Sequence, residues 1–365
     1  MENLSFYKDL GGEFMFPYIM MTFVSTFFGF LYYASDKKNN KRLANTMLFL
    51  SFSSLFIFSA IRYNVYNDYL YTYVPGYYKI INGLNTHFEP LFILLNKFVY
   101  YVFNNVDWIF ILTSLIFILF VGKTLKEKST ILPLSIFLFI GSRMYFYSFD
   151  QIRQYIGISI FLYNLKNIEN GNFKKFLILT IVGGLFHKLS FIYLPLYFVR
   201  YIKLTQKKYI ATIIIIILLA PIYAKVFNSV AMHFYPDYFN YGSLISGERI
   251  NNSLTMIVFI VTNILFSLLY YTKLVSEPYY KIILNIQLVL LFVTLGTWNL
   301  FDSYRIVSMF LYTLILLIPK IISIEKNSFV KLVLLSIIVF LYCCSGWSFI
   351  KKTSKLHPYR TIFEK

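Results

Sequence analysis

Two arginines of this chain each follow an aspartate by three residues at the start of an apolar segment. They are Arg153, after Asp150, and Arg305, after Asp302. On a helix this spacing places the acid and the base on one face. Guanidinium groups bind phosphates through paired hydrogen bonds, and a helix N-terminus favours anions. These arginines, with Gln154, therefore predict a pyrophosphate site, and a purely structural salt bridge is the alternative.

His187 is the only histidine inside an apolar stretch, GGLFHKLSF. Gly183 and Gly184 precede it and Pro195 follows it, so we expect the helix to break near the histidine. A histidine at such a break is suited to accept or donate a proton near neutral pH. A buried, hydrogen-bonded structural histidine is the alternative.

Arg62 begins a polar, tyrosine-rich segment, IRYNVYNDYLYTYVPGYYK, which also contains Asp68. Tyrosine has a flat apolar face and a polar edge, so Tyr69 and its neighbours are suited to contact a sugar ring. Arg62 would contribute a further guanidinium, and Asp68 a carboxylate. Arginine and tyrosine also anchor helices at a membrane interface, which is the alternative.

The composition identifies the kind of protein that must position these residues. Of 365 residues, 58% are hydrophobic, 21% are aromatic and only 14% are charged. This excludes a soluble globular enzyme and a disordered or disulfide-rich chain. Cys343 and Cys344 are adjacent, which suits neither a disulfide nor a metal site. The chain is predicted to be an all-α integral membrane bundle, with residues 1–365 forming a single membrane domain.

About 20 apolar residues cross a bilayer as a helix. We expect 10–12 membrane segments, two of them re-entrant or broken. The re-entrant ones are 89–103 and 176–199, and the spans lie near 14–33, 44–61, 108–121, 131–147, 152–166, 209–226, 253–272, 282–298, 306–322 and 331–347.

The distribution of charge orients these segments. With both re-entrant segments returning to the side they left, more than half of the 34 basic residues lie in cytoplasmic gaps, as the positive-inside rule requires. The loops 62–88 and 227–252 and the C-terminal tail are then external. Most carboxylates lie on that side, as do Arg62, Arg153, Arg305 and the pair Glu248–Arg249.

Several motifs are absent from the sequence. There is no phosphate-binding GxxxxGK[ST] loop, GxGxxG, HExxH or DxD pair. We therefore expect no metal and no cofactor. The net charge of +18 is explained by the membrane topology, so no nucleic-acid partner is expected either.

The order of several motifs resembles the EpsG/Wzy-like family of bacterial polysaccharide polymerases. The motifs are RYNVYNDY at 62–69, FEPLFILLNKF at 88–98, FDQIRQYIGISIFLYNLKNI at 149–168, FKKFLILTIVGGLFHKLSFIYLPL at 173–196, Tyr304–Arg305 and HPYRTIF at 357–363. Tyr66 and Asn67 stand where this family commonly has a glycine.

The resemblance implies a GT-C-like fold and a metal-independent glycosyltransferase of the bacterial cytoplasmic membrane. It would transfer a growing glycan from undecaprenyl pyrophosphate to an incoming lipid-linked repeat unit on the outer face. The implied partners are that lipid-linked oligosaccharide, membrane lipid, and a chain-length regulator and flippase. The expected catalytic residues are His187, Asp68 and Asp150, and the expected substrate-binding residues are Arg62, Arg153, Gln154, Arg305, Tyr69, Glu248 and Arg249. A flippase of lipid-linked oligosaccharide is the main alternative, and a membrane acyltransferase is a more distant one.

Overall fold

The computed structural model describes residues 15–234, 246–298, 300, 303–353, 356 and 358–364. This part of the chain is mostly helical, and its only strands are the two-residue β1 (Arg62–Tyr63) and β2 (Arg360–Thr361). The α-helices in chain order are α1 Phe16–Lys37, α2 Lys41–Ala60, α3 Val74–Ile81, α4 Pro90–Phe103, α5 Asp107–Lys128, α6 Leu132–Gly141, α7 Met144–Tyr147, α8 Ile152–Glu169, α9 Phe173–Phe186, α10 Gln206–Phe234, α11 Ser246–Leu269, α12 Tyr271–Val275, α13 Pro278–Gly296, α14 Ser303–Leu311, α15 Leu314–Ile324 and α16 Ser328–Lys352.

Six helices of the described part are long and apolar enough to cross a membrane, namely α1, α2, α5, α10, α13 and α16. The pair α14 and α15, bent by 41°, would make a seventh span. Shorter apolar helices account for further predicted segments. The prediction of a polytopic all-α membrane protein is confirmed.

Two predicted boundaries are wrong. Residues 131–147 do not form one continuous helix, because α6 ends at Gly141 and Arg143 adopts a left-handed backbone with φ 70°. The predicted loop 62–88 does lie between the end of α2 at Ala60 and the start of α4 at Pro90, although it contains a π-helix, Tyr69–Tyr73, followed by α3. The helix α10 runs to Phe234 and so occupies part of the predicted loop 227–252. Residues 235–245 of that loop lie outside the described part of the chain.

The helical structure of 69–81 follows from the spacing of its tyrosines. Tyr69, Tyr73 and Tyr77 recur every four residues, and all three are buried in one apolar cluster of the structure. Residues four apart lie on the same face of a helix. The tyrosines therefore hold this polar segment against the helix bundle.

The described residues fall into two compact units. Those of the first belong to 1–164, 177–191 and 326–365, and those of the second to 165–176 and 192–325. The interpretation of 1–365 as a single domain stays a prediction.

In the first unit, α4 is shorter than a membrane span. Its 14 residues are about 21 Å long at 1.5 Å per residue, against a bilayer core of about 30 Å. The Tyr73 ring contacts Phe88 and Phe92 near the start of α4, at 6.1 and 5.8 Å, and Phe110 in the first turn of α5, at 6.3 Å. The start of α5 therefore lies near the start of α4, and the re-entrant course of 89–103 stays a prediction.

The C-terminal tail also belongs to the first unit and lies at the Ala60 end of α2. Strand β2 pairs antiparallel with β1, and Arg62 is opposite Thr361. The Tyr359 ring stacks on Phe58 at 4.1 Å. The tail is therefore on the same side of the membrane as the Arg62 segment.

In the second unit, the segment that leads into α9 lies beside the segment that follows it. After α9 the chain forms a 3₁₀-helix, Lys188–Tyr201. The Tyr197 hydroxyl, near the end of that helix, donates to the Gly171 carbonyl at 2.8 Å. Gly171 has φ 70°, a conformation that glycine adopts without strain. The segment 173–201 thus folds back, so that its end lies beside the turn that precedes it, and its re-entrant course in the membrane stays a prediction.

The remainder of the second unit is built around α13. Its Asn285 donates to the carbonyls of Val199 and Ile202 at 2.9 and 3.1 Å. The Tyr209 hydroxyl, on α10, donates to the Leu284 carbonyl at 3.3 Å. These bonds satisfy backbone carbonyls within the bundle, as apolar surroundings require.

Candidate functional site

The side chain of Glu89 joins two residues that the sequence analysis identified separately. Its Oε1 is 3.2 Å from Nδ1 of His187 and accepts the Lys188 backbone N–H at 3.1 Å. Its Oε2 accepts Nη1–H of Arg153 in an ion pair. All these residues belong to the first unit. We call Glu89, Arg153 and His187 the Glu89 cluster.

Each member of the Glu89 cluster lies at the end of a helix. Glu89 is the residue before α4, in extended backbone conformation, and Pro90 begins that helix. Arg153 is in the first turn of α8. His187 follows the last residue of α9, where the predicted break occurs. Three chain segments therefore converge through their helix ends. The ends at Glu89 and Arg153 are N-termini, where backbone N–H groups are not used within the helix.

Close packing of glycines brings α8 and the His187 turn together. Gly157 is one turn after Arg153, and a Cβ placed there would clash with Ser190 Oγ and lie 3.7 Å from the Gly183 carbonyl oxygen. A Cβ on Gly184 would clash with the Phe191 ring. Only glycine permits such a close approach of backbones without displacement of a neighbour.

The Glu89 cluster is largely, but not completely, shielded from solvent. The side chains of Arg153, Glu89 and His187 are 13%, 11% and 20% exposed. The Arg153 guanidinium lies over the Phe88 ring at 4.6 Å and within 5.7 Å of the Phe92 ring. These contacts exclude water from one side of the guanidinium, which strengthens its interaction with anions.

Burial and positive charge act in opposite directions on Glu89. Burial on its own raises the pKa of this carboxyl, but hydrogen bonds from His187 and the Lys188 N–H and the charge of Arg153 outweigh it. Together they lower the pKa to about 2. Glu89 is therefore a carboxylate at neutral pH, and it can only accept hydrogen bonds.

Asp68 and Asp150 lie together beside this cluster. The Asp68 backbone N–H donates to Asp150 Oδ1 at 3.1 Å, and Thr72 Oγ1 donates to Asp68 Oδ1 at 3.0 Å. Burial raises the pKa of the Tyr73 hydroxyl, the charge of Arg153 opposes that rise, and Asp68 and Asp150 add to it. The two aspartates and Arg153 therefore all lie close enough to act on Tyr73.

Arg62 and Tyr69 are buried in the first unit, each with an exposed fraction of 1%. Arg62 donates to the Ser59 carbonyl and, at 3.0 Å, to Ser114 Oγ. Its guanidinium also faces the Phe149 ring at 4.9 Å. The Tyr69 ring stacks on Phe110 at 3.9 Å. Both residues are packed inside the first unit, and their binding of substrate stays a prediction.

The remaining predicted site residues lie on α8, α14 and α11. Gln154 has an exposed fraction of 3%. Arg305 lies in the first turn of α14, in the second unit. Glu248 and Arg249 fall in α11, but their side chains are outside the described part of the structure. Their roles stay predictions.

Sequence reasoning missed the position of Glu89 and also Arg143. Arg143 is buried between α6 and α7, where it donates from Nε to Ser345 Oγ at 3.1 Å and faces the Phe349 ring at 4.9 Å. An arginine inside an apolar run is itself a signal, because charge at membrane depth is costly. Glu89 gave a weaker signal, a carboxylate directly before the first residue of a short apolar helix.

No group of three or more histidine, cysteine, aspartate or glutamate side chains that could hold a metal ion occurs among the described residues. The Glu89 cluster instead combines a guanidinium, a carboxylate and an imidazole. Such a set can bind an anion and transfer a proton.

Comparison with known proteins gives one match. A family model described as the EpsG family matches residues 45–361. The matched range contains the Glu89 cluster and both short strands. No curated protein and no solved structure matches the chain.

Proposed function

The chain belongs to the EpsG family, whose members are polysaccharide-polymerase-like, and from this premise we propose that it polymerises lipid-linked repeat units. In this proposal a growing glycan on undecaprenyl pyrophosphate is transferred to a hydroxyl of an incoming lipid-linked unit. The reaction takes place on the outer face of the bacterial cytoplasmic membrane and uses no metal. A chain-length regulator and a flippase are the proposed partners.

One observation supports the proposal most directly. A guanidinium and an imidazole share a single carboxylate partner, so the two groups lie next to each other. Glycosyl transfer from a pyrophosphate requires these two functions. The acceptor oxygen forms a bond to the anomeric carbon while the bond from that carbon to the pyrophosphate oxygen breaks. Negative charge develops on the leaving pyrophosphate, and the acceptor hydroxyl loses its proton.

Arg153 is the proposed ligand of the pyrophosphate. Its charge stabilises the leaving group, and a site with little water makes that stabilisation larger. The expected binding residues Arg305, Arg62, Gln154, Tyr69, Glu248 and Arg249 remain part of the proposal as further contacts to the lipid-linked substrates.

His187 is the proposed general base. It accepts the proton of the acceptor hydroxyl and later releases it to solvent. Asp68 and Asp150 are the alternative bases, because they lie close to the same buried tyrosine as Arg153. The exposed fraction of His187, 20%, is compatible with access of an acceptor hydroxyl.

The test is the lipid-linked glycan content of cells that lack this protein. We expect undecaprenyl-pyrophosphate-linked single repeat units to accumulate on the outer face, and polymer to be restored by the wild-type chain. Units retained on the cytoplasmic face would instead identify a flippase. A deletion strain with unchanged polymer and no accumulated units would refute both.

A further inference from the structure

We propose that Glu89 is a positioning residue, which holds His187 as the Nδ1–H tautomer so that Nε2 is the atom that accepts the proton. This inference deepens the proposed function and rests on it for the role of His187. The sequence analysis assigned no role to Glu89. Three independent features of the described residues support the inference.

The first feature is the direction of the hydrogen bond between His187 and Glu89. A carboxylate has no proton to donate, so the nitrogen that contacts it must carry one. The contacting nitrogen is Nδ1, 3.2 Å from Oε1. In the neutral ring the proton is then on Nδ1, and Nε2 has the free lone pair.

The second feature is that the carboxylate itself is held on both oxygens. Oε1 also accepts the backbone N–H of Lys188, the residue directly after His187, and Oε2 accepts Arg153. Each carboxylate oxygen therefore has its own hydrogen-bond donors, and rotation of the carboxylate would break at least one of these bonds. The carboxylate is fixed relative to the backbone that bears the imidazole.

The third feature is the rigidity of the turn around His187. Its backbone N–H donates to the Gly183 carbonyl, and its carbonyl accepts the Ser190 N–H, both at 2.9 Å. Gly183 and Ser190 are packed against Gly157 of α8. The ring is thus anchored through its backbone and through Nδ1, which leaves Nε2 as the reactive atom.

A structural ion pair between Glu89 and Arg153 would not require this arrangement. Such a pair needs one carboxylate and one guanidinium, whereas here the same carboxylate also binds the imidazole and the following N–H. The charged groups around His187 are Glu89, Arg153 and Lys188, and His87 lies near the first two. Of the charged groups, only Glu89 can accept a hydrogen bond from Nδ1–H.

The experiment is ¹⁵N NMR of the full-length protein in detergent with labelled histidine, at a mildly alkaline pH. The chain has four histidines, and the signal of His187 is identified by its loss in His187→Gln. We expect the wild-type His187 ring to be the Nδ1–H tautomer. A wild-type His187 ring in the Nε2–H form, or in a mixture of both, would overturn the inference.

Two variants extend the test. Glu89→Ala removes the acceptor, so the Nδ1–H preference should be lost, and polymer synthesis should fall about 10–100-fold, the range found for carboxylate partners of metal-ligating histidines. Glu277→Ala is the matched control, since Glu277 pairs with Lys320 at 2.5 Å in the second unit. The inference fails if the tautomer is unchanged in Glu89→Ala, or if Glu277→Ala changes it equally. The NMR result does not depend on polymerisation, so it is separable from a failure of the proposed function.

Discussion

Gly157 of α8 is packed directly against Ser190, so that a Cβ on Gly157 would clash with the serine Oγ and lie 3.3 Å from its Cβ. The two residues are 33 positions apart. Arg153 is one helical turn before Gly157, and His187 is three residues before Ser190. This single close approach therefore sets the distance between the arginine and the histidine of the Glu89 cluster.

Gly157→Ala is expected to displace the His187 turn and to reduce polymer synthesis at a normal protein level. The Ser190 hydroxyl has no hydrogen-bond partner among the described residues, so Ser190→Ala alone should leave activity unchanged. The double variant Gly157→Ala/Ser190→Ala removes the clashing oxygen and should recover part of the activity. Polymer length and amount on gels measure this, and an unaffected Gly157→Ala would refute the packing argument.

His187→Gln is expected to reach the membrane and to make almost no polymer. A general base contributes about 10²–10⁴-fold to a rate, and glutamine retains some hydrogen bonding but does not relay a proton. His233→Gln is the control, because His233 lies in the second unit with an exposed side chain. If His187→Gln polymerises normally, the base is elsewhere, and Asp68 and Asp150 are tested next.

Arg153→Lys and Arg305→Lys should each lower polymer synthesis although the charge is kept. Lysine lacks the planar fork that binds a phosphate with two hydrogen bonds. Arg360→Lys is the matched control, since Arg360 has an exposed side chain on β2. Wild-type polymer from both arginine variants, at normal protein levels, would contradict the pyrophosphate assignment.

The Glu89 carboxylate makes stability depend on pH in a defined window. Its pKa is about 2, against an ordinary value of 4.5, so the folded protein binds this proton less readily than the unfolded chain does. The stabilisation is complete above about pH 4.5 and is lost as the pH falls toward 2. The Tm difference between the wild type and Glu89→Gln in detergent should shrink across that range. A difference that stays constant from pH 5 to about pH 2 would contradict the assignment of the shift to Glu89.

The two ends of α2 are expected to lie on opposite sides of the membrane, since its 20 residues are about 30 Å long. In a chain with Cys343 and Cys344 replaced, Phe363→Cys should be labelled by an impermeant thiol reagent in intact cells, and Lys38→Cys should be protected. Phe363 is 80% exposed and lies in the tail, at the Ala60 end of α2. Labelling of Lys38→Cys from outside would show that the chain has the opposite orientation in the membrane.

The sequence alone was sufficient for the fold class and the break at His187. These features depend on local composition, because apolar length and the presence of glycine or proline act within one segment. The orientation derived from the placement of lysine and arginine stays a prediction. The same local information identified Arg153 and His187 as candidates. It did not identify the helix break at Arg143, because an apolar run long enough to span a membrane gives no sign that it is divided into two shorter helices.

The tertiary structure alone decided which of the candidates meet. Glu89 is 64 residues from Arg153 and 98 from His187, and no spacing rule relates residues so far apart. It also decided that Arg62 and Tyr69 are buried, and that the C-terminal strand lies beside Arg62. Hydrophobic and charge patterns determine which segments enter the membrane. The close packing of glycines such as Gly157 determines which helix ends touch. That packing depends on complementary shapes, which exist only in the folded structure.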